Sequence, residues 1–342
     1  MTPDAGPVGI ALVGTGGVAE LHLAAARRAA GVRLVGVCDV DEGRARAAAG
    51  AGGVRWTTAI DDLLAWPEIE GVILSTPNDT HAPLGRRIID SGRHLLMEKP
   101  LALTLDDADS LIEAARARDL VLAPGHTHRY YDYARAIRDA ITGGAVGEPR
   151  YVRTSGNAGW IWPDWRSWVL EPARSGGHLV HNGVHGIDLV RWWLDDEPVA
   201  VRALGARVTS AHLEIPDFLR IIVRFRRGGI GVAEFSRAHR PKGFVERDLI
   251  AAGAGGSMSI RPPDWGAEIQ GETAVAPVGF DAAIGFVRQL AAFAEAIRGT
   301  APLPVTADDA RVALAVALAG ERSLISGREE PVASGATTET NR

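Results

Sequence analysis

Short apolar runs alternate with helix-forming segments over the first 124 residues. Val8–Val13, Val32–Asp39, Val54–Thr57, Gly71–Ser75, His94–Met97 and Val121–Ala123 read as strands. Ala-rich or amphipathic stretches read as helices: one ending at Arg28, then Asp41–Ala49, Ile60–Trp66, one ending near Asp90, and Leu105–Asp119. The run GVILS at Gly71–Ser75 carries no apolar–polar alternation, which suits a parallel sheet covered on both faces. This pattern predicts a doubly wound parallel α/β domain of the Rossmann type over residues 1–124. From Gly147 the chain turns to alternating strands: Arg150–Ser155, Val199–Val208, Leu219–Phe225, Gly229–Phe235 and Val245–Ala252. Arg226–Gly229 reads as a hairpin turn between two of them. Strand runs after a βα half predict a separate α+β domain, residues 125–330, with a large open, mostly antiparallel sheet. Phe280–Arg298 and Ala307–Leu324 have helical spacing, and 331–342 reads as a flexible tail.

Composition narrows the class. The chain has 342 residues, more than one core ordinarily serves, so two domains are expected. It is 46% hydrophobic and 23% charged with net charge −5, a balance that points to neither nucleic acid nor a membrane surface. No apolar run nears the roughly 20 residues of a membrane span, and the start MTPDAGP lacks a secretory pattern. The single cysteine, Cys38, excludes an internal disulfide and fits a cytoplasmic protein; lying inside a strand, it reads as packing.

The first strand stops at Gly14-Thr15-Gly16-Gly17-Val18, and a helix follows. Strand, glycine turn and helix together form the context of a dinucleotide fingerprint, here GxGxxA. Gly14 permits the tight turn, Gly16 lets the backbone approach a diphosphate, and Ala19 is the small residue where helix and strand meet. The next strand ends on Asp39, at about the 20-residue spacing expected of the ribose-binding acid. A carboxylate there accepts from both ribose hydroxyls and repels a 2′-phosphate, which favours NAD over NADP. Thr76-Pro77-Asn78-Asp79-Thr80-His81 lies at another strand end, where polar residues line the ligand crevice of such sheets. Asn78 is a candidate contact for the nicotinamide ribose, with helix capping as the plainer alternative. A further strand delivers Glu98-Lys99-Pro100. A partly buried lysine there can polarise a hydroxyl or carbonyl oxygen, and Pro100 restricts how Lys99 points.

GTGGVAE, VCDVD, STPNDTHAPL and MEKPLALT, in this order, resemble the Gfo/Idh/MocA family of oxidoreductases, relatives of glucose–fructose oxidoreductase and inositol dehydrogenase, and the likeness spans essentially the whole chain. The resemblance implies that Lys99 is the catalytic lysine, that Asn78 and Glu98 lie beside the cofactor, and that His81 holds the strand-to-helix turn, mainly as a structural residue. It places Thr15, Gly17, Val18, Thr76 and Pro77 at the cofactor too. Arg129, at the loop into a crossover helix Tyr133–Ile141, falls where relatives put an arginine near substrate; pairing with Asp132 is the competing reading. The run SGGHLVHNGVHGID looks like the family's helix start GG-x-L-x-D-x-G-x-H-x-x-D. His181 and His185, four apart, share one helical face. Relatives carry an aspartate and a histidine there as a proton relay with the lysine; here His181 replaces the aspartate. His185 is then the general base, His181 a substrate contact, and Asp188 a supporting residue. The family resemblance further implies a homodimer or homotetramer through the second sheet and a late helix, 307–324, packed back on the first domain.

Trp160–Arg166 concentrates indoles, so Trp165 and Arg166 are candidate sugar contacts, against core packing. His178, His181 and His185 could also present a zinc-binding face. Family positions that work without metal and a lysine cation aimed at the same pocket weigh against it. The expectation is an NAD-dependent dehydrogenase moving hydride between nicotinamide and a secondary alcohol of a sugar, polyol or related ring, with Lys99 and His185 as acid and base. Alternatives are a glycosidase or lyase using transient ring oxidation, or a non-catalytic nucleotide sensor.

Overall fold

The computed structural model describes residues 6–159, 167–208, 214–239, 245–261, 266–269, 272–275 and 281–333. The chain divides into two compact units: one runs to Tyr131 and takes in Asp281–Ala310, the other comprises Asp132–Phe280 and the chain from Arg311 on. In chain order the helices are α1 (Ala19–Arg28), α2 (Glu42–Gly52), α3 (Ile60–Leu64), α4 (His81–Asp90), α5 (Leu105–Arg116), α6 (Asp132–Thr142), α7 (Pro172–Ser175), α8 (Val184–Leu194), α9 (Ile284–Ile297) and α10 (Ala307–Ser326).

The first unit holds a parallel sheet of β1 (Val8–Val13), β2 (Val32–Cys38), β3 (Arg55–Thr57), β4 (Gly71–Leu74), β5 (His94–Met97) and β6 (Leu122–Pro124). Their order is β3-β2-β1-β4-β5-β6, so the direction of winding reverses between β1 and β4. Crevices at such switch points are where doubly wound sheets bind ligands. β1 is buried along its whole length, as a strand covered on both faces must be. Its core continues through Leu23 of α1 to Phe286, Leu290 and Phe293 of α9. A Cβ on Gly71 of β4 would lie 3.0 Å from the Phe293 ring, so a glycine leaves room for that aromatic.

The two units do not divide the chain at a single point. The first unit extends past residue 124 because Gln289 Nε2 donates to Pro124 O (3.0 Å), Arg288 to Tyr130 O (2.9 Å) and Tyr131 Oη to Ala282 O (2.7 Å). α9 joins the first unit, its ring-bearing face at helical spacing. α10 gives only its first residues to that unit. From Arg311 on it belongs to the second, where Ser323 Oγ accepts from Ala203 N (2.9 Å).

The second unit is built on β7 (Pro149–Gly159), β8 (Pro198–Ala206), β9 (Phe218–Phe225), β10 (Ile230–His239), β11 (Val245–Gly253), β12 (Gly256–Arg261), β13 (Gly266–Ile269), β14 (Glu272–Val275) and β15 (Glu330–Pro331). The order is β14-β13-β12-β11-β7-β10-β9-β8-β15; β7 and β10 run parallel and the other neighbours antiparallel. Buried Leu219, Ile221, Val223 and Phe225 alternate with outward Arg220, Ile222 and Arg224 along β9. α8 lies close on β7 and β10 because glycines clear its path. A Cβ on Gly186 would meet Ala233 and Thr154 at 3.2 Å, and one on Gly231 would overlap Val190 at 2.0 Å. β12–β14 continue the sheet beyond Ala252, where the sequence reading stopped. The expected tail begins later than residue 331: Glu330 and Pro331 pair with Val201 and Ala200, and Val332 N donates to Val199 O. No helix among the described residues is long and apolar enough to cross a membrane.

Candidate functional site

The carboxyl edge of the first sheet carries the nucleotide fingerprint. Gly14 has a φ of +88°, and a Cβ there would sit 2.5 Å from Ser75 O, so neither the backbone nor the neighbour tolerates a side chain. Ser75 Oγ donates to Gly14 O at 2.7 Å, tying the turn to the end of β4. At Gly16 and Gly17 the opposite holds: no described atom lies within 4 Å of where a Cβ would be. The turn is crowded below and open above, just before α1. That combination fits a diphosphate approaching backbone N–H groups at a helix start.

Asp39 follows β2 and is buried beside this turn. One oxygen accepts from Thr15 N (2.8 Å) and Thr15 Oγ1 (2.9 Å), the other from Asp41 N (2.9 Å) and Arg44 (2.9 Å). Burial would raise its pKa, but the Arg44 bond and the three neighbouring donors outweigh it and hold the carboxyl at about 2. Asp39 is therefore a fixed anion, locked to the glycine turn through Thr15. Cys38 next to it is buried, and burial with the adjacent carboxylates pushes its thiol to about 11, so it stays a packed, protonated group.

The end of β5 carries Glu98-Lys99-Pro100. Lys99 is half-buried and its bond to Pro100 is cis. Three contacts outside this tripeptide fix it. Glu98 Oε1 lies 2.9 Å from His22 Nε2 on α1. Burial pushes Glu98 up, yet the His22 hydrogen bond and the nearby positive charges bring it below the ordinary carboxylate value. Its other oxygen accepts from Lys99 N at 3.2 Å. On the far side His81 is fully buried, with Nδ1 2.7 Å from Pro100 O and Nε2 3.0 Å from Thr76 O. Burial lowers the His81 pKa, although the two carbonyls beside its ring nitrogens act in the opposite direction. Finally, a Cβ on Gly125 would lie 2.7 Å from Glu98 Cα and 2.8 Å from Lys99 N. The chain after β6 can press against this backbone only as glycine. Asn78 is buried in the turn after β4, in the segment Thr76–Thr80 closed by Thr80 Oγ1 to Thr76 Oγ1 and to Pro77 O.

In the second unit a π-helical turn, Leu179–Gly183, leads into α8. The sequence reading took this as a plain helix; the wider turn is local to His181, and such turns recur at functional sites. His181 and His185 are both part-buried, and the His181 ring meets Trp168 edge-on at 5.2 Å. Asp188, on the buried side of α8, is 1% exposed, in keeping with support rather than solvent chemistry. His178 Nδ1 donates to Pro216 O at 3.0 Å and its ring packs edge-on against Phe235. Among the described residues no three His, Cys, Asp or Glu side chains gather in a metal-holding group. The turn is anchored from α10: Glu321 Oε1 accepts from Leu179 N at 2.9 Å. Gly177, at φ +89°, is where that carboxylate fits, since a Cβ would lie 2.4 Å from Glu321 Oε1.

Other expected site residues have contacts of their own. Arg129 is 5% exposed, ion-paired to Asp309 (3.3 Å) and donating to Pro304 O (3.5 Å). This ties its guanidinium to the start of α10. His81 has both ring nitrogens within hydrogen-bond reach of backbone carbonyls at the strand-to-helix turn. Trp165 and Arg166 lie outside the described residues. His22, Gly125, Gly177 and Glu321 escaped sequence reasoning. Gly177 left a trace there as the second glycine of the SGGH run, and Gly125 as the first residue of the loop that leads to Arg129.

Comparisons with known proteins cover both units. The model of the oxidoreductase family with NAD-binding Rossmann fold matches residues 8–126, and that of the GFO/IDH/MocA C-terminal domain matches residues 134–259. A 1,5-anhydro-D-fructose reductase of Ensifer adhaerens is 30% identical over 331 residues, 95% of this chain and 98% of its own. A 2,7-anhydro-N-acetylneuraminate hydratase of Mediterraneibacter gnavus is 27% identical over 62% of this chain and 57% of its own. The crystal structure of GenD2 from gentamicin A biosynthesis, in complex with NAD, superposes with a TM-score of 0.84 at 28% identity, covering 96% of this chain and 97% of that one. The glycine turn shaped for a diphosphate, the locked acid at the end of β2 and the buttressed lysine at the end of β5 thus belong to an NAD-binding oxidoreductase of the Gfo/Idh/MocA family.

Proposed function

We propose that this chain is a dehydrogenase or reductase that moves hydride between NAD and a secondary alcohol carbon of a sugar, polyol or related cyclic substrate. The observation that carries this reading is the fixing of Lys99 by Glu98–His22, His81 and Gly125. A lysine whose backbone is held from three sides is pre-positioned for one task, and electrostatic catalysis depends on such pre-positioning. NAD, when bound, supplies the hydride acceptor; Gly14, Gly16 and Asp39 would hold it, and the fixed anion at Asp39 disfavours a 2′-phosphate. In the oxidation direction His185 takes the hydroxyl proton on its imidazole. The Lys99 ammonium stabilises the negative charge developing on the same oxygen. His181 contacts the substrate and, lacking the fixed charge of an aspartate, orients it through a ring hydrogen bond. One buried free cysteine suits a cytoplasmic setting. The outer sheet face, where Tyr151, Ile230, Ile222 and Leu204 are exposed, is the surface for a homodimer or homotetramer.

The hydratase among the relatives supports a second reading, in which a ring carbon is oxidised and then restored within one turnover. One experiment separates them: NAD reduction followed by absorbance across sugars, inositols and anhydro-sugars, with product analysis of each reaction. Stoichiometric NADH with an oxidised product supports the dehydrogenase. Conversion without NADH accumulation supports the second reading, and no conversion of any member by a folded, NAD-binding protein contradicts both.

A further inference from the structure

The face of the second sheet that supports α8 carries a pair of arginines unrelated to any step described above. Arg237 on β10 and Arg247 on β11 flank the intervening strand β7. The register places Phe235, Gly156 and Arg247 in one row across β10, β7 and β11, with Arg237 two residues beyond Phe235 on the same face. This face belongs to α8 and its π-helical turn, because Cβ atoms on Gly183 and Gly186 would meet Phe235 and Thr154. At Gly156 itself no described atom lies within 4 Å of a Cβ position. Among the described residues, then, the floor at Gly156 is open between the strands that carry the two arginines, beside the turn that carries His181 and Asn182.

Arg247 is engaged, donating to Tyr133 Oη at 3.1 Å with its guanidinium 5.7 Å from that ring's centre. Arg237 differs. Among the described residues its guanidinium has one side-chain contact, Asn182 Oδ1 at a long 3.4 Å, and no carboxylate pairs with it. A guanidinium carries five N–H donors and stays charged at neutral pH. Here burial, together with the neighbouring Arg247 charge, pulls its pKa down to about 10, still well above neutrality. A buried guanidinium without a carboxylate partner among the described residues favours an anion joining it. Structural arginines in this same chain are paired: Arg220 with Glu234, Arg298 with Glu70 and Arg129 with Asp309.

We propose that the floor over Gly156, between Arg237 and Arg247, is a subsite for an anionic group of the substrate, a carboxylate or a phosphate. The preferred substrate is then a sugar or polyol that bears an acidic function, gripped at that function by Arg237 while a hydroxyl elsewhere on the ring reacts. The inference rests on the reading that the second unit binds the substrate, but its test needs no turnover. Arg237 alone has donors to spare for such a group, and charge-assisted bonds to it are the strong ones.

The test is calorimetric titration of the NAD-saturated protein at low ionic strength with inorganic phosphate, D-glucuronate and D-glucose. At least one of the two anions binds saturably and more tightly than glucose. Arg237→Met weakens that anion about ten- to a hundred-fold, Arg237→Lys weakens it less, and Arg202→Met on the sheet's other face leaves it unchanged. The anion that responds separates phosphate from carboxylate recognition. Failure of both anions to bind the wild type, or equal affinities for wild type and a folded, NAD-binding Arg237→Met, overturns the proposal. NAD affinity measured in the same samples reports separately on the first unit.

Discussion

Replacing Glu321 by Gln should stabilise the protein at alkaline pH and leave it nearly unchanged in acid. The Glu321 carboxylate accepts from Leu179 N at 2.9 Å, and burial raises its pKa from 4.5 to about 7 despite that bond. An acid with a raised folded-state pKa withholds no stability below its unfolded value and loses it as pH rises through the folded value. The window is thus from about pH 4.5 to about pH 7. The difference of roughly 2.5 units corresponds to a penalty of up to about 3 kcal/mol, fully developed by about pH 8. Glutamine keeps an acceptor for Leu179 N, has nearly the same shape and cannot ionise. Urea unfolding of wild type and E321Q at pH 5 and pH 8, followed by circular dichroism, should show E321Q within about 1 kcal/mol of wild type at pH 5 and about 2–3 kcal/mol more stable at pH 8. A difference that does not grow with pH, or that favours the wild type at pH 8, refutes the assignment of a desolvated carboxyl at the head of the histidine turn.

Other perturbations have equally direct readouts. Asp39→Ala removes the anion at the end of β2 and should weaken NAD while raising relative activity with NADP, checked by the ratio of kcat/KM for the two cofactors; an unchanged ratio excludes Asp39 as the discriminating group. Gly125→Ala forces a Cβ to within 2.7 Å of Glu98 Cα. Displacing the Lys99 backbone by a few tenths of an ångström or more should lower kcat by about ten- to a hundred-fold with NAD affinity within two- to threefold of wild type. Gly177→Ala combines a left-handed φ with a 2.4 Å approach to Glu321 and should lower thermal stability, and E321A should relieve the steric part.

How far this molecule was legible in its sequence follows from the range of the interactions involved. The glycine turn, the strand-end Asp39 and the EKP segment are local signals: chain geometry within a few residues demands Gly14, and strand spacing delivers Asp39. The sheet order around the switch point follows from the same alternation. What buttresses those residues is not local. His22 meets Glu98 across 76 positions, and Glu321 reaches Leu179 across 142, so neither partner carries a mark in its own segment. Arg237 reads as an ordinary outward charge near a strand end, and only the register of three strands places it beside an open floor. α9 is a related case: helical spacing marks the segment, while the place its aromatics take beside β1 is decided by Gly71 and the α1 face. The π-helical turn is likewise invisible to a periodicity argument, since His181 and His185 stand four apart in either geometry.

The central claim is that Lys99 acts on the reacting oxygen and not on the cofactor. The most direct test is Lys99→Ala assayed for both NAD binding, by calorimetry, and turnover with the best substrate of the panel. The account predicts NAD affinity within a few-fold of wild type and a loss of turnover of about a hundred- to ten-thousand-fold. Turnover within a few-fold of wild type, or NAD binding lost in parallel with activity, would contradict it.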